Sequence, residues 1–534
     1  MIEKVNSSSV NNNSGAKSQR NQPQFKGLVD GVLQTIQTLE QNPMANVAFL
    51  DVATAIGPRT IYDTVNTNPY AGVETFRRES SGLVVNCLIP GAVVLGTAKL
   101  IQGPIMGPGS KMGSCWANED VIKTIAKYWQ AAEGEGEAKI KSFYTNLIND
   151  IHGIDGTTNV AFKDFNHSKS IQKLIGATSK PTKYSEKQAK KAWKLIAEQT
   201  HVAEHIQINS KIHSYSGKLS SLVESAPTIL KELSKKGFIK NGQTAEEALA
   251  AFVKKSTKLV TAKSLLGLGI IIPLAVSMQP INRWLTAKNS GIKGAPIYKD
   301  FKETKQEELK PAEKRDLFRH KLMSVGTMVG FALLSIMKKP NMSMLKNITQ
   351  FSGRFPTMDQ ARIVATATFA SRMMASENKD ELKETTVRDI ATFSAFYFLG
   401  DHVAKAIATG IQKFNPKIVL INQLEKADKN ANGLKKFWHW VKNTSLKSSD
   451  EVIGKAGIKM RSVCQLGNIG FSLLALGVLI PMITKKRTFK KREEELKKMN
   501  AEKENSQQIY KKMIKTSPNQ ANKNNVYQKF FTSK

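Results

Sequence analysis

Two long runs without a charged residue constrain this chain more than any other feature. Lys263 and Arg283 bracket nineteen uncharged residues, Ser264–Asn282, and Arg461 and Lys485 bracket twenty-three, Ser462–Thr484. A helix rises about 1.5 Å per residue, so roughly 20 mostly apolar residues cross the hydrocarbon of a bilayer. Helices in soluble cores rarely stay uncharged for so long, and the reading is therefore an integral membrane protein with spans within 258–283 and 462–484. Three further segments are weaker. Ser80–Ala98 lies between Glu79 and Lys99 and is rich in Gly and small side chains, giving a third span over 80–102. Leu322–Met337 has sixteen uncharged residues between Lys321 and Lys338, a borderline span over 321–338. Ile390–Ile411 is interrupted by Asp401, His402 and Lys405 and reads as an amphipathic helix on a protein or membrane surface.

Between these runs the pattern is helical. Lys187–Ile208 places Leu195, Ile196, Val202, Ala203 and Ile206 on one face at about 100° per residue, and Glu377–Val387 and Glu493–Ile514 are rich in good helix formers. Alternating strand patterns are scarce. The expected fold is all-α, a helical multi-span membrane protein with basic extramembrane helical regions. The expected division is an Asn/Ser-rich disordered tail over 1–25, a helical or loop region over 26–79, and the span 80–102. A polar helical domain follows over 103–257, then the span 258–283, a linker over 284–320 and the segment 321–338. A helical region over 339–461 contains the amphipathic or borderline stretch 390–411, and the span 462–484 precedes a basic tail over 485–534. Loops are expected at Gly103–Gly113, Gly153–Thr158 and Asn289–Gly294.

Charge is the loudest global signal, with 79 Lys and Arg against 44 Asp and Glu, a net of +35. Such an excess attracts polyanions. In a chain with apolar spans the anionic lipids of a bilayer are the expected partner rather than nucleic acid, alongside a second copy or another membrane protein. The tail from Lys485 holds fifteen Lys or Arg against five Glu and begins KKRTFKKR directly after a span. The positive-inside rule then sets the C-terminus in the cytoplasm. The first residues offer no basic start followed by an apolar core, so insertion is expected to be directed by an internal span. Cys87, Cys115 and Cys464 form no CxxC pair and suggest no disulfide scaffold.

The two strong runs share a stretch. Ser264–Pro273 reads SLLGLGIIIP and Ser472–Pro481 reads SLLALGVLIP, identical at seven of ten positions, and Leu83–Pro90 reads LVVNCLIP. A proline inside a helix frees a carbonyl one turn earlier and bends the axis, so kinked spans are expected at Pro90 and Pro273. Gly326 and Gly330 form a GxxxG that lets two helices approach closely. Phe437, Trp438 and Trp440 among Lys435, Lys436 and Lys442 suit the headgroup region of a membrane.

Several motifs tempt and fail. His201, Glu204 and His205 form an H-x-x-E-H, the spacing that sets two imidazoles one turn apart on zinc with a glutamate to activate water. Lys194 opposes a dication there and no downstream ligand accompanies it, so a solvated helix face is the better reading. Asp428-Lys-Asn-Ala-Asn432-Gly433 begins like a calcium loop but has His439 where a bidentate Glu is needed, and reads as an Asn-Gly turn ending a helix. Gly109-Ser110-Lys111 lacks the phosphate-loop order. Asp150, His152 and Asp155 could offer ligands, but Gly156 favours a helix-end turn. No catalytic, cofactor-binding or metal residue is assigned, and no cofactor. The leading expectation is a non-enzymatic anchor, scaffold or membrane-remodelling protein with basic regions on the anionic leaflet. The alternatives are a transporter or channel subunit with proline-kinked spans, a membrane-tethered metallohydrolase at His201, Glu204 and His205, and a membrane-tethered nucleic-acid binder.

Overall fold

A computed structural model describes residues 43–153, 169–179, 205–301, 309–336, 355–423, 432–447 and 455–516, with short stretches such as 187–189 and 348–351 between them. The chain is mostly helical, with two small antiparallel sheets among the described residues. Two helices are long and apolar enough to cross a membrane, and a third counts if one pair bent by 47° is a single span.

Among the described residues, seven helical legs, some interrupted by π turns, form a bundle. The first is α1 (Pro43–Leu50), a π turn (Asp51–Arg59) and α2 (Thr60–Asn66). The second is α3 (Pro69–Leu83), a π turn (Val84–Leu88) and α4 (Pro90–Met106). A smaller domain then intervenes. Its helices are α5 (Glu119–Gln130), α6 (Gly136–Asn149), α7 (Lys169–Ser179) and α8 (Leu219–Leu233). Its sheet is β1 (Ile151–Gly153), β2 (His205–Asn209) and β3 (Ser214–Lys218), with β2 central. The third leg is α9 (Ala245–Ser290), the fourth α10 (Pro311–Ile336) and the fifth α11 (Met358–Met374). The sixth is α12 (Lys379–Ser394), a π turn (Ala395–Leu399) and α13 (Gly400–Phe414). After α13 come β4 (Ile421–Gln423), α14 (Gly433–Asn443) and β5 (Thr444–Leu446). The seventh leg is α15 (Lys455–Leu474), a π turn (Ala475–Leu479) and α16 (Ile480–Thr516).

Side-chain bonds fix the direction of each leg relative to α9, whose two ends are marked by Lys263 and Arg283. The second leg is antiparallel to α9, because Arg283 meets Glu74 and the Thr97 hydroxyl donates to the Lys263 carbonyl. The fifth runs with α9: the Phe351 N–H just before it donates to Ser264, and Ser371 near its end donates to the Val276 carbonyl. The fourth leg starts at the Arg283 end, where Lys321 reaches the Met374 carbonyl and Asp316 pairs with Lys379. The sixth also starts there, with Glu381 on Arg283. The seventh lies antiparallel to the sixth, since Lys485 meets Glu384 while Gly400 approaches Asn468. The first runs with the seventh, Asp63 reaching Lys485 and Arg59 the Leu476 carbonyl. The legs therefore alternate in direction, and the two long apolar helices point the same way.

The smaller domain sits at the Lys263 end and has an ordinary apolar core around Ile122, Tyr128, Phe143, Tyr144 and Leu222. Lys263 is fully buried against it, donating to the carbonyls of Gly113 and Cys115 at 3.2 and 2.6 Å with its ammonium over the Trp116 ring. Tyr128 donates to Asp150 at 2.6 Å, and burial together with that bond raises its hydroxyl above the usual phenol range.

The mostly helical expectation holds, with local departures. Lys187–Ile208 is not one helix: His205–Asn209 is a strand paired with Ser214–Lys218. The 103–113 loop begins later, because α4 continues through Met106, and α9 runs through Ser290 before Gly291 turns it in the left-handed region at φ 72°. Asn432 and Gly433 begin helix α14 rather than end one. The proline expectation divides three ways. Pro90 sits at the 47° bend, Pro481 directly follows a π turn and its next residue, and Pro273 lies on the half-exposed outside of an uninterrupted helix. A proline lacks the N–H and its ring crowds the carbonyl four residues back, and a wider turn relieves both. Pro58, Pro90 and Pro481 each lie in or just after a π turn.

Candidate functional site

The bundle buries charged side chains beside its apolar clusters, and much of its outside is apolar. Leu265, Leu266, Ile270, Val276 and Ile281 of α9 are exposed, as are Leu322, Met323, Leu333 and Leu334 of α10. Leu474, Val478, Met482 and Ile483 of the seventh leg and Val52, Ile61 and Val65 of the first behave likewise. Buried instead are Arg59, Asp63, Glu74, Glu79, Arg372, Glu381, Glu384, Arg388, Asp389 and Lys485. Soluble proteins partition in the opposite sense, because an isolated charge is costly to bury and exposed apolar patches are kept small.

Helical spacing collects these charges. Glu381, Glu384 and Arg388 of α12 stand at intervals of three and four on one helix face with Asp389 on its flank, and Glu74 and Arg78 of α3 share a face with Glu79 beside it. At the Arg283 end an outer layer forms. Arg283 bridges Glu74 at 3.1 Å and Glu381, and Asn282 donates to the Glu74 carbonyl at 3.0 Å. Lys485 bridges Glu384 at 3.0 Å and Asp63 at 3.7 Å, while Thr75 and Thr488 donate to Asp63 and Glu384 at 2.5 and 2.8 Å.

An inner layer lies deeper. Glu79 is met by three guanidiniums, from Arg78 at 3.0 Å, Arg372 at 3.2 Å and Arg59 at 3.7 Å. Arg372 also reaches Asp389 at 3.6 Å, which Arg388 contacts at 3.2 Å. Arg59 donates to Thr392 at 2.9 Å and to the Leu476 carbonyl at 3.1 Å. That carbonyl is open because the Ile480 N–H bonds the Ala475 carbonyl in the π turn and the next residue, Pro481, has no N–H to offer Leu476. Leu476 precedes Lys485 by nine residues, so this layer is about 13 Å further in along the helix axis.

Deeper still is a cavity of about 40 Å³, room for a few waters and not for a metabolite. Asp51, Arg59, Glu79, Asn86, Arg372 and Thr392 give it polar groups, and Cys87, Ala361 and Phe396 close its apolar side. Thr368 donates to Asn86 at 3.4 Å. Neighbouring Val85 packs with Leu268, Ile271 and Ala275, midway between Lys263 and Arg283. Three of the four π turns named above contribute a lining residue, consistent with the frequent use of such turns at functional sites.

The sequence motifs do not meet here. His201 and Glu204 lie outside the described residues, and His205 opens β2 opposite Lys218, so no helical face carries it. Asp428 and Asp155 also lie outside the described residues, and His152 is in β1. Asp401 is exposed on α13 and His402 stacks near Trp440, both away from the charge network. Lys405 is buried and donates to the carbonyls of Trp440, Val441 and Thr444 at 3.1 to 3.2 Å, tying α14 to the bundle. Gly326 and Gly330 face open space. Pro273 is exposed and its neighbours Ile271 and Ile272 pack in an apolar cluster with Val85 and Val94, so the polar cavity follows the π turns and not the proline of the longest span. Among the described residues, no three His, Cys, Asp or Glu side chains gather as metal ligands. No protein-family model, curated protein or solved structure matches the chain.

Proposed function

We propose that this chain is an α-helical membrane protein whose seven legs all cross the bilayer and whose charged interior conducts protons or a small ion. The observation that carries this reading is the inverted partition, with ionised groups inside and large apolar side chains outside. Ionisable residues at membrane depth are expensive and mark ion or proton pathways. The direction of the legs supports the count. If α9 and the seventh leg cross the bilayer in the same sense, the chain between Arg283 and Arg461 recrosses an odd number of times. Legs four, five and six supply three crossings. Lys263 and Arg283 are 20 residues apart, about 30 Å of helix, which matches the hydrocarbon thickness. The layers of charge then form a half-pathway from the Arg283 side to mid-depth, and the basic tail after Lys485 supports a cytoplasmic position for that side. The test is proton flux into liposomes carrying the purified protein, read with an internal pH-sensitive dye under an imposed gradient and membrane potential. Flux well above that of protein-free liposomes is expected; equal flux in the two would contradict the reading.

A second reading keeps the bilayer and drops conduction. In α14, Leu434, Phe437 and Trp438 are exposed between Lys435, Lys436 and Lys442, the mixture that settles at an anionic headgroup layer. On that reading the charge network is a static clamp and the protein is an anchor or scaffold. Sedimentation of the protein with anionic but not neutral vesicles, lost on replacing Phe437 and Trp438 by Ser, together with no flux, is its expected signature.

A further inference from the structure

The carboxylates of the interior are not equivalent. Glu79 is held by three guanidiniums, Glu74 and Glu381 share Arg283, Asp63 and Glu384 share Lys485, and Asp389 lies between Arg372 and Arg388. Each has a cation at ion-pair distance. Asp51 differs. Among the described residues no cation stands within ion-pair distance of it, yet its side chain lines the water-sized cavity. The charged groups facing it are Arg59 from its own π turn, Glu79 from the second leg and Arg372 from the fifth. Cys87 also lines the cavity from the second leg. The sixth leg presents Thr392 and Phe396, with Asp389 and Arg388 further along it, and among the described residues the seventh leg contributes no lining side chain. Both guanidiniums are already engaged by Glu79 and their other partners, and Glu79 repels a second negative charge. A carboxylate so placed is the one that a proton from cavity water can neutralise without breaking an ion pair.

Resting on the proton-conducting form of the reading above, we propose that Asp51 is the proton-binding residue of the interior. A hydronium in the cavity transfers H⁺ to a carboxylate oxygen of Asp51 and leaves as water. The reverse transfer to a water returns the proton, while Glu79 stays ionised among its three arginines.

Two measurements on the full-length protein in liposomes test it. The first is proton flux for the wild type, D51N and D51E. D51N keeps shape and polarity but cannot release a proton, and a fall of at least tenfold is expected, with partial recovery in D51E. The second is reaction with dicyclohexylcarbodiimide across a pH series. This reagent takes the proton of a protonated carboxyl on nitrogen and bonds its oxygen at carbon, so labelling reports the neutral acid. Peptide mass spectrometry should find the adduct at Asp51, declining as pH rises, and none at Glu79 or Asp389. Wild-type flux unchanged in D51N overturns the assignment while conduction stands. Absence of flux in the wild type overturns conduction, and the labelling then decides Asp51 alone: no pH-dependent adduct there overturns the inference.

Discussion

Glu79 is the residue on which the interior turns, because one carboxylate neutralises parts of three guanidiniums from the first, second and fifth legs. Removing one partner of a buried ion pair leaves uncompensated charge and costs roughly 3–5 kcal/mol. E79Q should therefore lower the stability of the detergent-solubilised protein by about that amount, read as a large drop in its thermal unfolding midpoint. A change no larger than that of an exposed control such as E493Q would mean the arginines are satisfied without it. None of this was legible in the sequence. Locating spans by counting uncharged residues treats every Glu and Arg as an interruption, so Glu79 ended one candidate span and Arg372 belonged to none. The pair joins positions 293 residues apart, and no local pattern announces it. A signal did exist in Glu381, Glu384 and Arg388, whose spacing sets three charges on one helical face with Asp389 on its flank.

At the scale of elements, the legs pack where glycine lets them. A Cβ added at Gly400 would lie 2.2 Å from Asn468 Oδ1, and one at Gly467 would lie 2.1 Å from Ile407. The sixth and seventh legs thus approach through both glycines, beside the π turns at Ala395–Leu399 and Ala475–Leu479. Overpacking of this kind costs about 1–3 kcal/mol, so G400A should destabilise the protein to that extent, and N468A should rescue part of the loss. Gly326 and Gly330 of α10 meet nothing, so alanine there should be neutral or stabilising by up to about 1 kcal/mol through helix propensity. Destabilisation by both would instead place the GxxxG against a partner. The GxxxG was visible in the sequence, whereas the glycines that bring legs together were not, since Gly400 and Gly467 stand in no shared motif. The repeated stretch of Leu, four residues, Leu or Ile, then Ile-Pro was partly informative. In the copies ending at Pro90 and Pro481 five residues of π turn precede Ile-Pro, whereas the copy ending at Pro273 stays α-helical.

For the whole molecule, the sequence reading found the two long apolar helices and the dominance of helix, because both depend on local composition. It could not count the legs. The fifth and sixth carry charges that face inward and the fourth opens on exposed charges between Glu313 and Lys321, so their average composition is that of ordinary amphipathic helices, and only their neighbours reveal which side meets the core. The central claim is that all seven legs cross a bilayer, and sidedness tests it most directly. Lys123 on α5 and Lys497 on α16 are exposed, and the native Cys87, Cys115 and Cys464 are buried. Five crossings separate positions 123 and 497 in the seven-leg arrangement, whereas only two separate them if Ser264–Asn282 and Ser462–Thr484 are the sole spans beyond α5. Single K123C and K497C variants should be labelled with a membrane-impermeant maleimide in right-side-out and inverted vesicles. Labelling of the two from opposite sides is the predicted result, and labelling of both from the same side would contradict the account.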